Sequence, residues 1–152
     1  MTHPGIDAIR TVLGERDPDA DQTVEARRAN LEALAGAPLD LPGVTITRES
    51  VAGRPAERFL PDGGVTGPGT VLYLHGGGYI SGSLDTHRRL AASLAMASLR
   101  VVVSLDYRLG PEHPFPAAVD DAVASVGALA ATGPVAVAGD SDFSIYWIER
   151  TA

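Results

Sequence analysis

Apolar and polar positions follow two different rhythms along this chain. From Val44 to Val51 ("VTITRESV") they alternate with the two-residue period of a strand covered on one face. "AERFL", Ala56–Leu60, repeats that alternation, and Gly53 between them lets the two pair as a hairpin. A glycine- and proline-rich loop follows, over 61–69. Then come three short runs that are apolar almost throughout: Thr70–Leu74, Arg100–Leu105 and Val135–Ala138. Such runs are predicted to be central strands covered on both faces. Between them the period lengthens to that of a helix. Leu90, Leu94 and Ala97 share one face of a helix predicted from Asp85 to Ser98. Pro116 suits the first turn of a second helix with the stripe Val119, Val123, Val126 and Ala130, and Gly133-Pro134 ends it. Strands alternating with helices imply an α/β protein with a parallel sheet covered on both faces.

The two ends depart from this core. Over 1–40 the pattern is helical but sparse. Ile6, Ile9 and Leu13 share a face, and Val24, Leu31 and Leu34 form a thin stripe on a second helix from about Asp19 to Ala35. We divide the chain into a helical arm, 1–40, a core, 41–141, and a tail, 142–152. The tail holds Phe143, Tyr146 and the only tryptophan, Trp147. It is predicted to cover the last strand as a short helix, facing Ile145 and Ile148 or Phe143 and Trp147 inward. Uncovered, that strand would be an apolar edge open to another chain.

Composition acts mainly by exclusion. With 152 residues one domain is expected, and a net charge of −7 argues against nucleic acid and anionic membrane as partners. No cysteine is present, which excludes disulfides, thiolate chemistry and cysteine-based zinc sites. No apolar stretch reaches the ~18 residues of a membrane span. No basic-then-apolar leader opens the chain, so a cytoplasmic setting is expected.

Three stretches could carry chemistry. "HGGGYISGS", His75–Ser83, lies between a strand and a helix, and its consecutive glycines let backbone N–H groups converge on an anion. One reading is a phosphate cradle: Gly76, Gly78 and Gly82 are loosely spaced as in a dinucleotide turn, with Asp106 at the end of the next strand. The other is an oxyanion hole. In "DYRLGPEHPFPAAVDDA", Arg108 and Glu112 flank a proline turn and Asp120 lies in the helix beyond. That segment reads as an ion-paired, proline-stiffened loop more than as a catalytic set. In "VAVAGDS", Gly139-Asp140-Ser141 begins a G-x-S-x-G nucleophile turn, although Phe143 stands where the next glycine is due.

In this order and spacing the three stretches resemble the hormone-sensitive-lipase-like branch of the α/β-hydrolase fold, the bacterial carboxylesterases. The resemblance covers Val44 to Ser141, and the N-terminal helices resemble part of that family's cap. It implies a partial α/β-hydrolase fold with about five strands of a mostly parallel sheet. It also implies that Ser141 attacks an ester carbonyl, forming an acyl-enzyme that water hydrolyses. Gly76 and Gly77 would supply oxyanion N–H groups, and Asp142, after the nucleophile, another. His75 would orient the glycine loop, with Gly78, Tyr107, Arg108, Glu112 and Asp120 as further motif positions. No metal or cofactor is implied, and the partner would be a small ester. The phosphate reading has no use for His75, for Tyr107-Arg108-Leu109 or for Gly139-Asp140-Ser141, which decides against it.

The chain also departs from that family. Gly110 replaces the usual alanine, and positions 143 and 144 lack the expected glycines; Phe143 is expected to relax the nucleophile turn or shift the helix after it. In this fold an acid and then a histidine follow the serine. After Ser141 the only acids are Asp142 and Glu149, and His3, His75, His87 and His113 all precede it. No residue is assigned as triad acid or base, so the chain alone is expected to be inactive. The alternative is a non-catalytic module, completed by a partner or by self-association through 135–138.

Overall fold

The structure, a computed structural model, describes Thr11 and residues 23–35, 40–141 and 146–148. Six strands form one sheet: β1 (Val44–Val51), β2 (Arg54–Pro61), β3 (Thr70–Leu74), β4 (Val101–Leu105), β5 (Val135–Gly139) and β6 (Tyr146–Ile148). Their spatial order is β1-β2-β4-β3-β5-β6. Three helices are described: α1 (Val24–Ala35), α2 (Leu84–Ser98) and α3 (Ala117–Ala130).

The sheet is mixed rather than mostly parallel. Only β4, β3 and β5 run parallel; β1 with β2, β2 with β4, and β5 with β6 are antiparallel. Connection length explains both ends. Val51 pairs with Arg54 across Ala52 and Gly53, both left-handed at φ 50° and 80°, as a tight hairpin turn requires. Residues 140–145 are too few for a parallel crossover, which takes about a dozen residues or more. Residues 146–148 accordingly run antiparallel to β5. Where a helix was expected, 146–148 form a strand along 135–137. That strand takes the edge the sequence left open, so β5 lies between β3 and β6. Phe143 and Ile145 are outside the described residues.

Strand alternation divides the core in two. Leu72, Leu74, Val103, Leu105 and Val135 pack against Ala118, Ala122 and Leu129 of α3. Phe59, Tyr73 and Val102 pack on the other face against Ala91, Ala92 and Ala95 of α2. Both helices are rotated from their predicted faces. Leu90 is exposed and Leu94 lies at the margin of the core, while alanines meet the sheet. On α3, Val119 and Val123 are exposed, and Val126 and Ala130 only flank the core. Small side chains let a helix approach the sheet closely. Where a helix is apolar on several sides, periodicity does not select the buried face.

Local signals set the ends of α2. Ser83 and Thr86 form a reciprocal capping box, Asp85 lies in the first positively polarised turn, and Leu99 leaves the helix in the left-handed region at φ 51°. Arg88 then ties α2 to β2 by donating from Nε and Nη2 to the buried Glu57 carboxylate at 2.8 and 2.5 Å. Helix α1 buries no residue; Ile6, Ile9 and Leu13 are outside the described residues.

Candidate active site

The parallel strands β3, β4 and β5 end on the same edge of the sheet, where ligand sites of such sheets form. The glycine loop leaves β3, the proline loop leaves β4, and Asp140-Ser141 leave β5.

His75 begins the glycine loop and is fully buried. Its ring stacks between Tyr107, at a centroid distance of 4.4 Å, and His87, at 5.3 Å. The Tyr107 hydroxyl donates to the His75 carbonyl at 2.6 Å. Nδ1 lies 2.9 Å from the Gly76 carbonyl, which assigns the ring proton to Nδ1. Burial lowers the His75 pKa despite that bond, and the ring is held neutral. Nε2 finds no hydrogen-bond partner among the described residues. This is a packed strut beneath the loop, not a base facing a substrate.

Each glycine of the loop has its own reason. Gly77, at φ 127°, would place a Cβ 2.2 Å from the Ser81 carbonyl oxygen. That carbonyl region closes the loop, since the Ser81 N–H and Oγ both donate to the Gly77 carbonyl, at 3.1 and 2.8 Å. Gly82 would bring a Cβ within 2.4 Å of His75 Nδ1, so it is a packing glycine against the stacked ring. Gly76 would bring a Cβ 2.6 Å from Asp140 Oδ2 and 3.1 Å from Ser141 Cβ. The glycine loop thus abuts the serine.

Ser141 is exposed and has φ 66°, a strained value for a residue with a side chain. A sharp strained turn is what a nucleophile elbow needs. The relaxation expected from Phe143 is therefore not seen at Ser141. Asp142 and Phe143 themselves are outside the described residues.

Asp140 is the residue the motif reading passed over. Its Oδ1 accepts from the Gly76 N–H at 2.9 Å and from the Tyr73 hydroxyl, and its Oδ2 is 3.3 Å from His87 Nε2. Burial alone would raise its pKa, but the bonds from Tyr73 and Gly76 and the nearby His87 outweigh that and lower it. Burial, and then the bond to Asp140, push the Tyr73 pKa up. The Gly76 N–H, expected to face an oxyanion, is thus directed at a carboxylate instead. A neighbouring acid was visible in the motif, but its reach across to the loop was not.

The proline loop is an ion-paired structure. Arg108 forms a bidentate pair with Asp121, Nε to Oδ2 at 2.9 Å and Nη2 to Oδ1 at 2.7 Å, and its backbone N–H also donates to Oδ2 at 2.9 Å. Asp121 is buried and Asp120 exposed, so the anchor is one residue beyond the expected one. One residue along a helix turns the side chain by ~100° and decides which aspartate faces the core. Glu112 meets Arg28 of α1 in a second bidentate pair, both contacts at 2.7 Å. That bond lowers the Glu112 pKa to about 2. Arg28 also donates from Nε to the Ile80 carbonyl at 2.7 Å and from Nη2 to the Gly110 carbonyl at 2.9 Å. One guanidinium therefore joins α1, the glycine loop and the proline loop. No motif marks Arg28 in the sequence.

An apolar cavity of about 380 Å³ opens between the two loops, lined among others by Tyr79, Ile80, His113, Phe115 and Val119. Among the described residues no three His, Asp or Glu side chains converge as a metal site requires, and no helix is long and apolar enough to cross a membrane.

Comparison with known proteins agrees with this geometry. A family model described as alpha/beta hydrolase fold matches residues 71–142. Carboxylesterase NlhH of Mycobacterium tuberculosis is 37% identical over 93% of this chain and 49% of its own length. A crystal structure of an esterase/lipase from an uncultured bacterium superposes with TM-score 0.81 at 36% identity, over 92% of this chain and 49% of its own. An esterase from the bacterial hormone-sensitive lipase family gives TM-score 0.80 at 38% identity, over 93% and 48% respectively. The chain thus spans about half the length of the relatives it matches. Motif order, sheet topology and these likenesses agree that the chain carries part of the α/β-hydrolase fold and is similar, over about half their length, to carboxylesterases and to an esterase of the bacterial hormone-sensitive lipase family.

Proposed function

We propose that this chain contributes the nucleophile and the oxyanion loop of a serine carboxylesterase acting on small carboxylic esters. The observation that carries this reading is the exposed Ser141 at φ 66°, at the end of β5, packed against the backbone of the glycine loop. Ser141 Oγ would attack the ester carbonyl carbon as a base takes its proton. The carbonyl oxygen gains negative charge and is stabilised by N–H groups of Gly77 and, as the residue after the nucleophile, Asp142. The alcohol leaves, and water hydrolyses the acyl-serine to release the acid.

Neither His75 nor His87 suits the base. His75 is buried with its ring proton on the Gly76 carbonyl, and the two ring nitrogens of His87 meet Asp140 and Thr86, at 3.3 and 2.7 Å. No histidine follows Ser141. We therefore expect the 152-residue chain alone to show no turnover of a short p-nitrophenyl ester. The positive test is a chimera: residues 1–141 joined to the second half of NlhH, from the residue after its nucleophile. The folded chimera should hydrolyse the ester, and Ser141→Ala should abolish this. A folded chimera without activity, or turnover that survives Ser141→Ala, would overturn the assignment.

A cytoplasmic setting accords with the acidic, cysteine-free composition. Self-association through 135–138 gains no support from the fold, because β6 already pairs with β5. A stable dimer in size-exclusion chromatography that dissociates on proline substitution at Val137 would revive it.

A further inference from the structure

Three elements aim donors at one carboxylate beside the nucleophile. Tyr73 comes from β3, Gly76 from the glycine loop and His87 from α2, and all reach Asp140. We propose that Asp140 is a positioning residue that latches the glycine loop to the nucleophile turn by holding the Gly76 N–H. Its value for catalysis rests on the esterase reading; the latch itself does not.

The chemistry favours a latch over an incidental contact. Three successive glycines leave the loop with large conformational freedom in the unfolded chain, so fixing it needs a strong and directional partner. A hydrogen bond from a backbone N–H to an ionised acceptor is about twice as strong as a neutral one. The carboxylate is itself oriented: Oδ1 receives Gly76 and Tyr73, and Oδ2 faces His87. Gly76 has no side chain to hold the pair apart, since a Cβ there would overlap both Asp140 and Ser141. The serine is the next residue along the chain. Whatever fixes Asp140 against Gly76 therefore fixes the distance between Ser141 and the N–H groups that follow Gly76.

Two substitutions separate a latch from general stabilisation. Asparagine keeps an acceptor oxygen for Gly76 and Tyr73 but removes the charge; alanine removes both. The measurement is the amide proton of Gly76 in the ¹⁵N-labelled full chain, read for exchange rate and chemical shift, with Val103 of β4 as core reference. In Asp140→Ala, Gly76 exchange should rise roughly tenfold to a hundredfold, the loss expected for one charge-assisted bond. Val103 should not change, and Asp140→Asn should restore most of the protection while moving the Gly76 proton upfield. Gly76 exchange unchanged in a folded Asp140→Ala, or rising only in step with Val103, would overturn the latch. If the alanine variant does not fold, Asp140→Asn decides: a Gly76 proton resonance identical to that of the unmodified chain would overturn it. None of these readouts depends on ester turnover, so the latch can fail while the esterase reading stands, and the reverse.

Discussion

The glycine loop and the proline loop leave neighbouring parallel strands, yet they are held in opposite ways. The glycine loop is ordered from inside, by the buried His75 stacked on Tyr107 and by a carboxylate that takes a backbone N–H. The proline loop has an exposed tip, with Phe115 87% accessible, and is held by ion pairs at its root and rim. Order from burial tolerates salt but no added atoms. Order from ion pairs needs the right partner at a buried root and, where the pair is exposed at the rim, is screened by salt. On the proposed reading the glycine loop must hold its N–H groups to within fractions of an ångström of fixed positions, which order from burial supplies; a loop that bounds a pocket can use the second.

The sharpest test of that contrast is Gly77→Ala. It adds a Cβ 2.2 Å from a backbone oxygen at φ 127°, so urea denaturation should show a loss of about 3 kcal/mol or more. A loss below about 1 kcal/mol would mean the loop yields and is not ordered by packing.

Arg108→Ala should have a smaller but clear effect. It leaves the buried Asp121 with only Arg54, at 3.4 Å, as a counter-charge. The urea midpoint should fall, by less than for Gly77→Ala, and Arg108→Lys should recover only part because lysine cannot form the bidentate pair. Full recovery with lysine would show that charge alone suffices at the root.

At the rim the expected effects are local. Arg28→Ala should leave global stability almost unchanged, because α1 buries nothing, but should expose α1 to protease. Added salt should have the same effect on the unmodified chain and none further on the variant. The pair should also respond to acid in a defined way. The Glu112 pKa falls to about 2 in the folded chain, below its ordinary value of 4.5, so the pair stabilises fully above about pH 4.5. That contribution diminishes below this value and is lost as the pH falls through about 2. In Glu112→Gln the protease sensitivity of α1 should no longer change over this range; an unaltered pH response would assign it to another group. The smallest effect belongs to Ser125, on α3 behind the proline loop, whose buried hydroxyl has no partner among the described residues. Ser125→Ala should be neutral or stabilising by up to ~1 kcal/mol in the same denaturation assay.

How much of this was legible in the chain depended on the range of the interaction. Val44–Val51 and Thr70–Leu74 were readable to the residue, because strand period and turn chemistry are local. The buried faces of α2 and α3 were not, since Leu90 and Val123 are as apolar as the residues that displaced them. Ser141 and the glycine loop were readable from motif order. Arg28 was not, because its partners Glu112, Ile80 and Gly110 lie 52 to 84 positions away and carry no spacing signal.

By itself the sequence determined the alternation of strands and helices and the places of the glycine loop and of Ser141 after their strands. These follow from backbone preference and residue identity, which need no neighbour. Only the tertiary structure decided that residues 146–148 pair as a strand with β5, that Asp121 and not Asp120 anchors Arg108, and that Asp140 takes the Gly76 N–H. Each of those is a choice among chemically equivalent groups. It is settled by which of them the packed sheet brings within hydrogen-bond distance.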